Sequence, residues 1–356
     1  TSWRCSRPPT GRAPKAAPSS RWHEWVDVTT SGGPEPAPLG FGVIGARSFV
    51  ATRAVLPALD EVPCARLVAA ASLGGPVPDR GRSRAVSSYE DVLDHPEVDA
   101  VYIPLPNSMH HEWVLRAAAA GKHVLCEKPL ATDPTTAAAM AHACRDAGVV
   151  LAEAWMTPFD PRWIAALDLA REGVVGDLVS VESTFTFTIP SSERANYRWD
   201  PVLGGGALLD VGIYCLGAPT ELWDTEPIVL TADRDTAPSG VDATTRFELA
   251  WPDGRRATGR CSFIESEAQE LVLTGAGGAI VLDGDAFTGG TAARSITVEY
   301  ANGRCDLVEV ESDDPYRRMI EAFTATVTGR APWPRPVERS IALLGLLDRI
   351  ARWSRP

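Results

Sequence analysis

Three features that would direct a protein to a membrane, a secretory route or nucleic acid are missing from this chain of 356 residues. No apolar run approaches the roughly 20 residues that cross a bilayer, and no apolar signal-peptide core follows the N-terminus. Lysine and arginine number 34 against 46 acidic residues, a formal charge of -12 that repels a phosphate backbone. We therefore expect a cytoplasmic protein that binds neither membrane nor nucleic acid and acts on a small neutral or weakly polar molecule.

Close cysteine pairs are also missing. The seven cysteines show no CxxC or comparable metal-binding spacing, and most of them lie in apolar surroundings. This pattern is typical of reduced, structural thiols in a cytoplasm. We expect no metal site.

Composition and patterning divide the chain into three parts. Residues 1–37 are rich in Pro, Ser, Gly and Arg without periodic apolar positions, which predicts a disordered extension. Over residues 38–155, short apolar runs alternate with helical segments, which is typical of an α/β Rossmann domain with a parallel sheet. Residues 156–356 change to period-two strands joined by Asp-Gly, Gly-Gly and Asn-Gly turns, and they end in an amphipathic helix. They predict an α+β domain with a large, open, mainly antiparallel sheet, and the last helix is free to pack on the Rossmann domain.

The boundaries of several elements follow from local signals. Two helices are predicted, one from an N-cap at Ser108 to Gly121 and one from an N-cap at Asp133 to Gly148. The strand candidates of the Rossmann domain are residues 41–45, 65–72, 98–105, 122–127 and 149–155.

The first strand leads through a turn into a helix, which is the context of a dinucleotide-binding fingerprint. Gly45 can serve as the first glycine, but Arg47 occupies the place of the second, so that Arg47 either contacts the dinucleotide or blocks it. The second strand ends without Asp or Glu, and Ser72 at its end can bind a hydroxyl or a phosphate, which favours NADP over NAD. The residues of the first turn expected to contact the cofactor are Gly45, Arg47, Ser48 and Phe49.

Polar segments follow the next two strands, where ligands bind in an open parallel sheet. They are Pro-Asn-Ser-Met-His at residues 106–110 and Glu-Lys-Pro at residues 127–129. In this order they resemble the Gfo/Idh/MocA family of oxidoreductases, named after glucose-fructose oxidoreductase, inositol dehydrogenase and a rhizopine-catabolism protein. The resemblance extends over roughly residues 40–350.

The resemblance implies a role for each residue of these segments. Lys128 would be the catalytic lysine, in contact with the nicotinamide ribose and the reacting hydroxyl or carbonyl group. Pro129 would fix the turn, in this family often through a cis bond, and Glu127 would bind the cofactor near the nicotinamide ribose. The residues implied to line the nicotinamide side are Pro104, Leu105, Asn107 and His110.

A second group of residues, in "ANYRWDPVLGGGALLDVGIYC", also resembles the family. Arg198, three glycines, Asp210 and Tyr214 match its pattern, and residues four apart share one face of a helix. A Tyr phenol titrates near about 10, and a nearby ammonium such as that of Lys128 would lower its pKa. Tyr214 would then exchange the proton while hydride moves at the nicotinamide, and Asp210 would bind a substrate hydroxyl or orient the pair. Arg198 would contact the substrate.

The chain departs from the family in one segment. Trp155 begins the sequence WMTPFDP, where the family commonly has an Arg and a His among aromatic residues. Trp155 is expected to form an apolar wall of the substrate site, with core packing as the alternative. Tyr214 in place of a His makes the chain more similar to the dihydrodiol, aldose and sugar-ketoreductase branches.

These residues predict an NAD(P)-dependent enzyme that transfers hydride between nicotinamide C4 and an alcohol or ketone carbon of a sugar, sugar derivative or polyol. Two alternatives remain: a non-catalytic dinucleotide or sugar sensor of the same fold, and an NAD-dependent glycosidase. The open sheet face predicts a homodimer or homotetramer.

Overall fold

The computed structural model describes residues 11–12, 37–73, 75, 77, 84–190, 193, 195–290 and 292–354. Most of the predicted disordered extension, residues 1–37, thus lies outside the described residues. The chain divides into two compact units. Of the described residues, the first unit comprises those within 37–156 and 316–345, and the second comprises 11–12 and those within 157–315 and 346–354.

A six-stranded parallel sheet forms the centre of the first unit, in the order β4-β3-β2-β5-β6-β7. The predicted strands are confirmed, with bounds that differ by a few residues. Phe41, Val43 and Ile44 of β2 are all fully buried, as in a strand covered on both faces. Numbered in chain order through both units, the strands of this sheet are β2 (Leu39–Ile44), β3 (Ala65–Ala71), β4 (Arg84–Ala85), β5 (Ala100–Ile103), β6 (His123–Glu127) and β7 (Leu151–Ala154).

Helices surround this sheet. They are α1 (Leu56–Glu61), which continues a π-helical turn at Ala51–Val55, α2 (Tyr89–Leu93), α3 (His110–Ala119), α4 (Pro134–Asp146) and α8 (Pro315–Val327). Asp133 caps α4 as predicted, since its Oδ1 accepts the N–H of Thr136 at 2.9 Å. The cap predicted at Ser108 is wrong. Ser108 lies in a 3-10 turn, where the Met109 N–H already donates to the Pro106 carbonyl oxygen at 2.9 Å, and α3 begins after it without a side-chain cap.

The sequence reading did not predict α8. Met319, Ile320 and Phe323 of this helix are fully buried, and the Phe323 ring lies 5.8 Å from that of Phe41 in β2. Their spacing of one and four residues is the periodic signal that would have identified the helix. The predicted C-terminal helix is confirmed as α9 (Val337–Arg352).

The second unit contains a nine-stranded sheet in the order β1-β15-β14-β13-β12-β8-β11-β10-β9. Its pairs are antiparallel except β8 with β11 and β1 with β15. The three predicted hairpin turns are confirmed, since they join β10 to β11, β12 to β13 and β14 to β15. The strands are β1 (Gly11–Arg12), β8 (Leu178–Thr188), β9 (Ile228–Thr236), β10 (Asp242–Ala250), β11 (Arg256–Ser262), β12 (Ile264–Gly275), β13 (Gly278–Leu282), β14 (Arg294–Tyr300) and β15 (Cys305–Val310).

One face of this sheet is covered by helices and the other carries polar side chains. Along the middle of β8, Val181, Ser183 and Phe185 are buried while Glu182 is exposed, which is the alternation of a half-buried strand. Towards the ends of the strand the alternation is lost, since Val179 is exposed and Thr186 is buried. The helices are α5 (Pro161–Arg171), α6 (Ala207–Asp210) and α7 (Gly212–Leu222). Among the described residues, no helix is long and apolar enough to cross a membrane.

Candidate active site

The turn after β2 has the shape that a dinucleotide fingerprint needs at its first glycine. Gly45 has φ 103°, and a Cβ at this position would lie 2.8 Å from Cδ2 of Leu105 and 3.3 Å from the Pro104 carbonyl oxygen. The N–H groups of Gly45 and Ala46 both donate to the carbonyl oxygen of Ala71, each at 3.0 Å. The turn is therefore packed against the carboxyl ends of β3 and β5, where a side chain at Gly45 has no room.

The next residues of the turn point in different directions. Ser48 Oγ accepts the N–H of Ala51 at 3.1 Å and so caps the π-helical turn. Phe49 is 81% exposed. Arg47 is exposed as well, and its guanidinium lies against Gly75 in the loop after β3. Ser72, at the end of β3, is half-buried.

The loop after β5 is tied to the turn after β6 by His110. The ring is fully buried, with Nε2 2.9 Å from the Leu105 carbonyl oxygen and Nδ1 3.0 Å from that of Pro129. Burial lowers the pKa of His110, while these carbonyl acceptors act to raise it. Pro104, Leu105 and His110 are thus all buried. Both ring nitrogens of His110 lie within hydrogen-bond distance of main-chain carbonyl oxygens.

In the turn after β6, Lys128 is more exposed than the residues on either side of it. Glu127, Pro129 and Leu130 are buried, Lys128 is half-buried, and the Lys128-Pro129 bond is cis, as the resemblance implied. Glu127 Oε1 accepts the hydroxyl of Tyr102 at 2.7 Å, and its Oε2 accepts the N–H of Lys128 at 3.2 Å. Burial raises the pKa of Glu127 to about 7, although the Tyr102 hydrogen bond and the Lys128 charge both oppose the shift.

A second buried carboxylate fixes the far side of this turn. Glu153 of β7 accepts the N–H of Leu130 at 2.9 Å through Oε1. Its Oε2 accepts Nη1 of Arg335 at 2.9 Å and the Ser340 hydroxyl at 2.6 Å. The Arg335 guanidinium also lies 4.9 Å from the ring centroid of Trp155. Trp155 is itself 1% exposed, which favours the core-packing alternative for this residue.

In the second unit, the three glycines bring Arg198 to Asp210. A Cβ on Gly205 would lie 2.4 Å from the Arg198 carbonyl oxygen, and the Gly206 N–H donates to that oxygen at 3.0 Å. The glycine run therefore lets two segments of backbone touch. Arg198 Nε then donates to Asp210 Oδ2 at 2.6 Å, with the carboxylate nearly fully buried. Burial acts to lower the pKa of Arg198, but the neighbouring Asp210, Tyr197 and Tyr214 outweigh it and raise this pKa above its ordinary value.

Asp210 and Tyr214 lie on two short helices and not on the single helix that the sequence predicted. Asp210 is the last residue of α6 and Tyr214 is in the first turn of α7, with a break at Val211 (φ -121°, ψ -10°). Asp242 of β10 supports α6, because its Oδ2 accepts the Leu208 N–H at 2.7 Å. A Cβ on Gly206 would lie 2.3 Å from Asp242 Oδ1, which explains the third glycine. Nothing in the local sequence around Asp242 indicated this role.

Aromatic rings surround Tyr214. Phe185 lies 5.0 Å from it in an edge contact, and Phe287 lies 6.1 Å from it. Phe287 is held by its main chain, since its N–H donates to Gln269 Oε1 at 3.3 Å and its carbonyl oxygen accepts the Thr157 hydroxyl at 2.6 Å. The phenol is thus oriented by packing from one strand, β8, and from the loop after β13. The sequence reading missed Phe287, which is distant from Tyr214 along the chain.

No group of three or more His, Cys, Asp or Glu side chains in the described part of the chain could hold a metal ion. The six cysteines in that part are free thiols.

A Rossmann sheet, a glycine turn at the end of its first strand and a lysine presented after β6 define a dinucleotide-dependent oxidoreductase. Residues 39–154 match the Gfo/Idh/MocA oxidoreductase family with NAD-binding Rossmann fold, and residues 163–281 match the C-terminal domain of the same family. This chain belongs to the Gfo/Idh/MocA family.

Its relatives include several sugar enzymes. The chain is 35% identical to D-xylose 1-dehydrogenase (NADP(+)) 2 of Haloferax volcanii over 316 residues, which cover 87% of this chain and 95% of that protein. It is 34% identical to dTDP-3,4-didehydro-2,6-dideoxy-alpha-D-glucose 3-reductase of Saccharopolyspora spinosa, over 82% of this chain and 88% of that protein. A crystal structure of a 3-ketoreductase from Actinomadura kijaniata with NADP and TDP-benzene is similar at 28% identity and a TM-score of 0.79, over 87% of this chain and 96% of that one.

Proposed function

We propose that this protein is an NADP-dependent oxidoreductase that interconverts a hydroxyl and a carbonyl group on a sugar or sugar derivative. The turn after β6 carries the proposal, because Lys128 is presented from residues that are otherwise buried and braced from both sides. The D-xylose dehydrogenase and the dTDP-keto-sugar reductase among the relatives support a sugar as substrate.

The residues of the first unit fit a dinucleotide. The turn at Gly45 packs closely against Leu105 and Pro104, which is the tight turn that the first glycine of a dinucleotide fingerprint allows. A nicotinamide dinucleotide would supply or accept the hydride at its C4. We assign cofactor binding to residues 38–155, with Glu127 and Lys128 at the nicotinamide ribose and Pro104, Leu105 and Asn107 beside the ring.

We assign proton transfer to the second unit, residues 156–356. On oxidation of an alcohol, the substrate hydroxyl gives its proton to Tyr214 and its carbon gives the hydride to the cofactor, so that the alcohol becomes a carbonyl compound. Lys128 binds the reacting oxygen of the substrate. Arg198, which is paired with Asp210, also interacts electrostatically with Tyr214. We assign to Asp210 the binding of a substrate hydroxyl.

The outer face of the nine-stranded sheet bears on how the protein assembles. We propose a cytoplasmic homodimer or homotetramer that associates through the polar face of the nine-stranded sheet. Glu182 and Arg260 stand on this face, and none of the helices described for this unit covers it. Size-exclusion chromatography with light scattering would test this, and a monomer at micromolar concentration would contradict it.

The catalytic proposal is tested with NADP or NADPH and a panel of aldoses, inositols and keto-sugars, followed at 340 nm. We expect turnover of at least one sugar by the wild type, and a loss of kcat of about 100-fold or more in Lys128→Ala and Tyr214→Phe. Cofactor binding without turnover on any sugar would instead favour a sensor. Release of sugar from aryl glycosides without net formation of reduced cofactor would favour a glycosidase.

A further inference from the structure

One amide in the second unit is buried while its donor group has no partner. Gln269 of β12 is 7% exposed. Its Oε1 accepts the N–H groups of Phe287 and Thr288 at 3.3 Å and 3.2 Å, and also the Thr288 hydroxyl at 3.0 Å. Because a main-chain N–H can only donate, the amide oxygen has to face this loop and the amide cannot be reversed. Nε2 is therefore held on the other side of the amide, and no described residue accepts a hydrogen bond from it.

The strand register places this amide on the same side of the sheet as Tyr214. Gln269 is paired with Phe185 in the antiparallel ladder of β12 and β8, and residues directly opposite each other project from the same face. Phe185 makes the edge contact with Tyr214, and the Phe287 ring stacks on Phe185 with centroids 5.8 Å apart. The ladder is irregular between residues 264 and 268, directly before Gln269, and such bulges redirect the side chains beside them. The amide thus lies beside the rings that surround the proposed proton acceptor.

A buried N–H₂ group without an acceptor is costly, and native proteins leave few such groups unless a ligand or water completes them. A sugar carries hydroxyl oxygens that can accept from an amide. We propose that Gln269 is a specificity-determining residue, which donates from Nε2 to a sugar oxygen other than the reacting one. The reacting oxygen is excluded because Tyr214 and Lys128 are assigned to it. This inference rests on the proposed function, since it adds a substrate contact to the same site.

The variants separate the donor of this amide from its acceptor. Gln269→Glu keeps an oxygen for the three donors of the loop and replaces the N–H₂ group by a second oxygen, which cannot donate when the carboxyl group is ionised. Gln269→Met removes the donor and the acceptor together. Thr288→Val is the matched control, because it removes one donor to Oε1 and leaves Nε2 unchanged.

The probes are D-xylose and its 2-, 3- and 4-deoxy derivatives, each of which lacks one hydroxyl oxygen. Calorimetry measures their binding to the protein saturated with NADPH, and the 340 nm assay with NADP gives kcat/KM. We expect the wild type to bind one of the deoxy derivatives about 10-fold or more weakly than D-xylose, since the amide then lacks its acceptor. In Gln269→Glu and Gln269→Met this ratio should fall to about twofold or less through weaker binding of D-xylose, while Thr288→Val should keep it.

Unchanged discrimination in Gln269→Glu would show that the amide only holds the loop. Equal binding of D-xylose and all three deoxy derivatives by the wild type would show that Nε2 faces water alone. Either result, or no binding of D-xylose, would overturn the inference. The binding test requires no turnover. If calorimetry shows discrimination that depends on Gln269 but no sugar is converted, the inference stands and the catalytic proposal fails, and turnover without that discrimination would mean the reverse.

Discussion

At the scale of single residues, the main electrostatic feature of the candidate site is a carboxyl group whose pKa is raised to about 7. Glu127 is buried beside Lys128, and its pKa of about 7 lies well above its ordinary value of 4.5. The shift comes first from burial, which disfavours the charged form. Near pH 7, therefore, Glu127 exchanges between a neutral form and an anion that the Lys128 charge and the Tyr102 hydroxyl stabilise.

This shift predicts a pH dependence of stability. Between pH 4.5 and pH 7 the folded protein holds more of the Glu127 proton than the unfolded chain does, so its stability falls as the pH rises through this window. We expect the free energy of unfolding of the wild type to fall relative to that of Glu127→Gln by about 3 kcal/mol across the window. Urea titrations of both variants at several pH values measure the difference, and a pH-independent difference would show that the carboxyl group titrates normally.

A second prediction concerns the contact that brings Arg198 to Asp210. In Gly205→Ala the new Cβ would collide with the Arg198 carbonyl oxygen, 2.4 Å away, and neither partner is a flexible side chain. We expect a loss of stability of about 1–3 kcal/mol and a loss of activity, because the Arg198–Asp210 pair is displaced.

The control for this substitution is Gly345→Ala in α9, where no atom lies within 4 Å of the new Cβ. Removal of a glycine from a helix interior should stabilise the protein by about 0.5–1 kcal/mol. Urea unfolding and the 340 nm assay distinguish the two variants. Equal behaviour of both would mean that the glycine run is not needed for the site.

At the scale of elements, the turn after β6 is supported by residues that are far apart along the chain. Glu153 joins the Leu130 N–H to Arg335 and Ser340 of the C-terminal segment, all within the first unit. The carboxylate and the guanidinium are both at most 7% exposed. Removal of one partner of a buried ion pair costs far more than removal of a neutral hydroxyl.

Glu153→Ala should therefore lower the free energy of unfolding by about 3–5 kcal/mol, and Ser340→Ala should lower it by about 1 kcal/mol. The double variant Glu153→Ala, Arg335→Met should recover part of the loss, since neither charge is then buried alone. Chemical denaturation of the three variants gives the comparison. A Glu153→Ala loss no larger than that of Ser340→Ala would refute the network.

Element types were easier to predict from sequence than their breaks. Short apolar runs correctly predicted the five main strands of the Rossmann sheet, and the 3.6-residue pattern correctly predicted the helix α9, while the period-two pattern of β8 holds only over its middle. The break at Val211 between α6 and α7 was not predicted, because Asp242, which supports α6 through the Leu208 N–H, is distant in sequence. The Ser108 cap was predicted wrongly, because the 3-10 turn runs directly into α3 and the His110 N–H donates to the Asn107 carbonyl oxygen.

At the scale of the whole molecule, ordered motifs identified the family, and tertiary contacts determined what each motif residue touches. Glu127, Lys128 and Pro129 were readable from sequence because they are consecutive at a strand end. The buried position of His110, the ion pair of Arg198 with Asp210 and the course of Arg47 towards Gly75 depend on side-chain packing across elements. No local pattern encodes such distances, so the sequence named these residues without giving their geometry.

The central claim is that the protein moves a hydride from a sugar carbon to the nicotinamide cofactor. The most direct test incubates it with NADP and the same sugar panel in fully deuterated form, and measures the mass of the NADPH that is produced. We predict NADPH that is one mass unit heavier than that from the unlabelled sugars, formed about 100-fold or more slowly with Lys128→Ala. If no sugar in the panel gives deuterium-labelled NADPH with the wild type, the claim is contradicted.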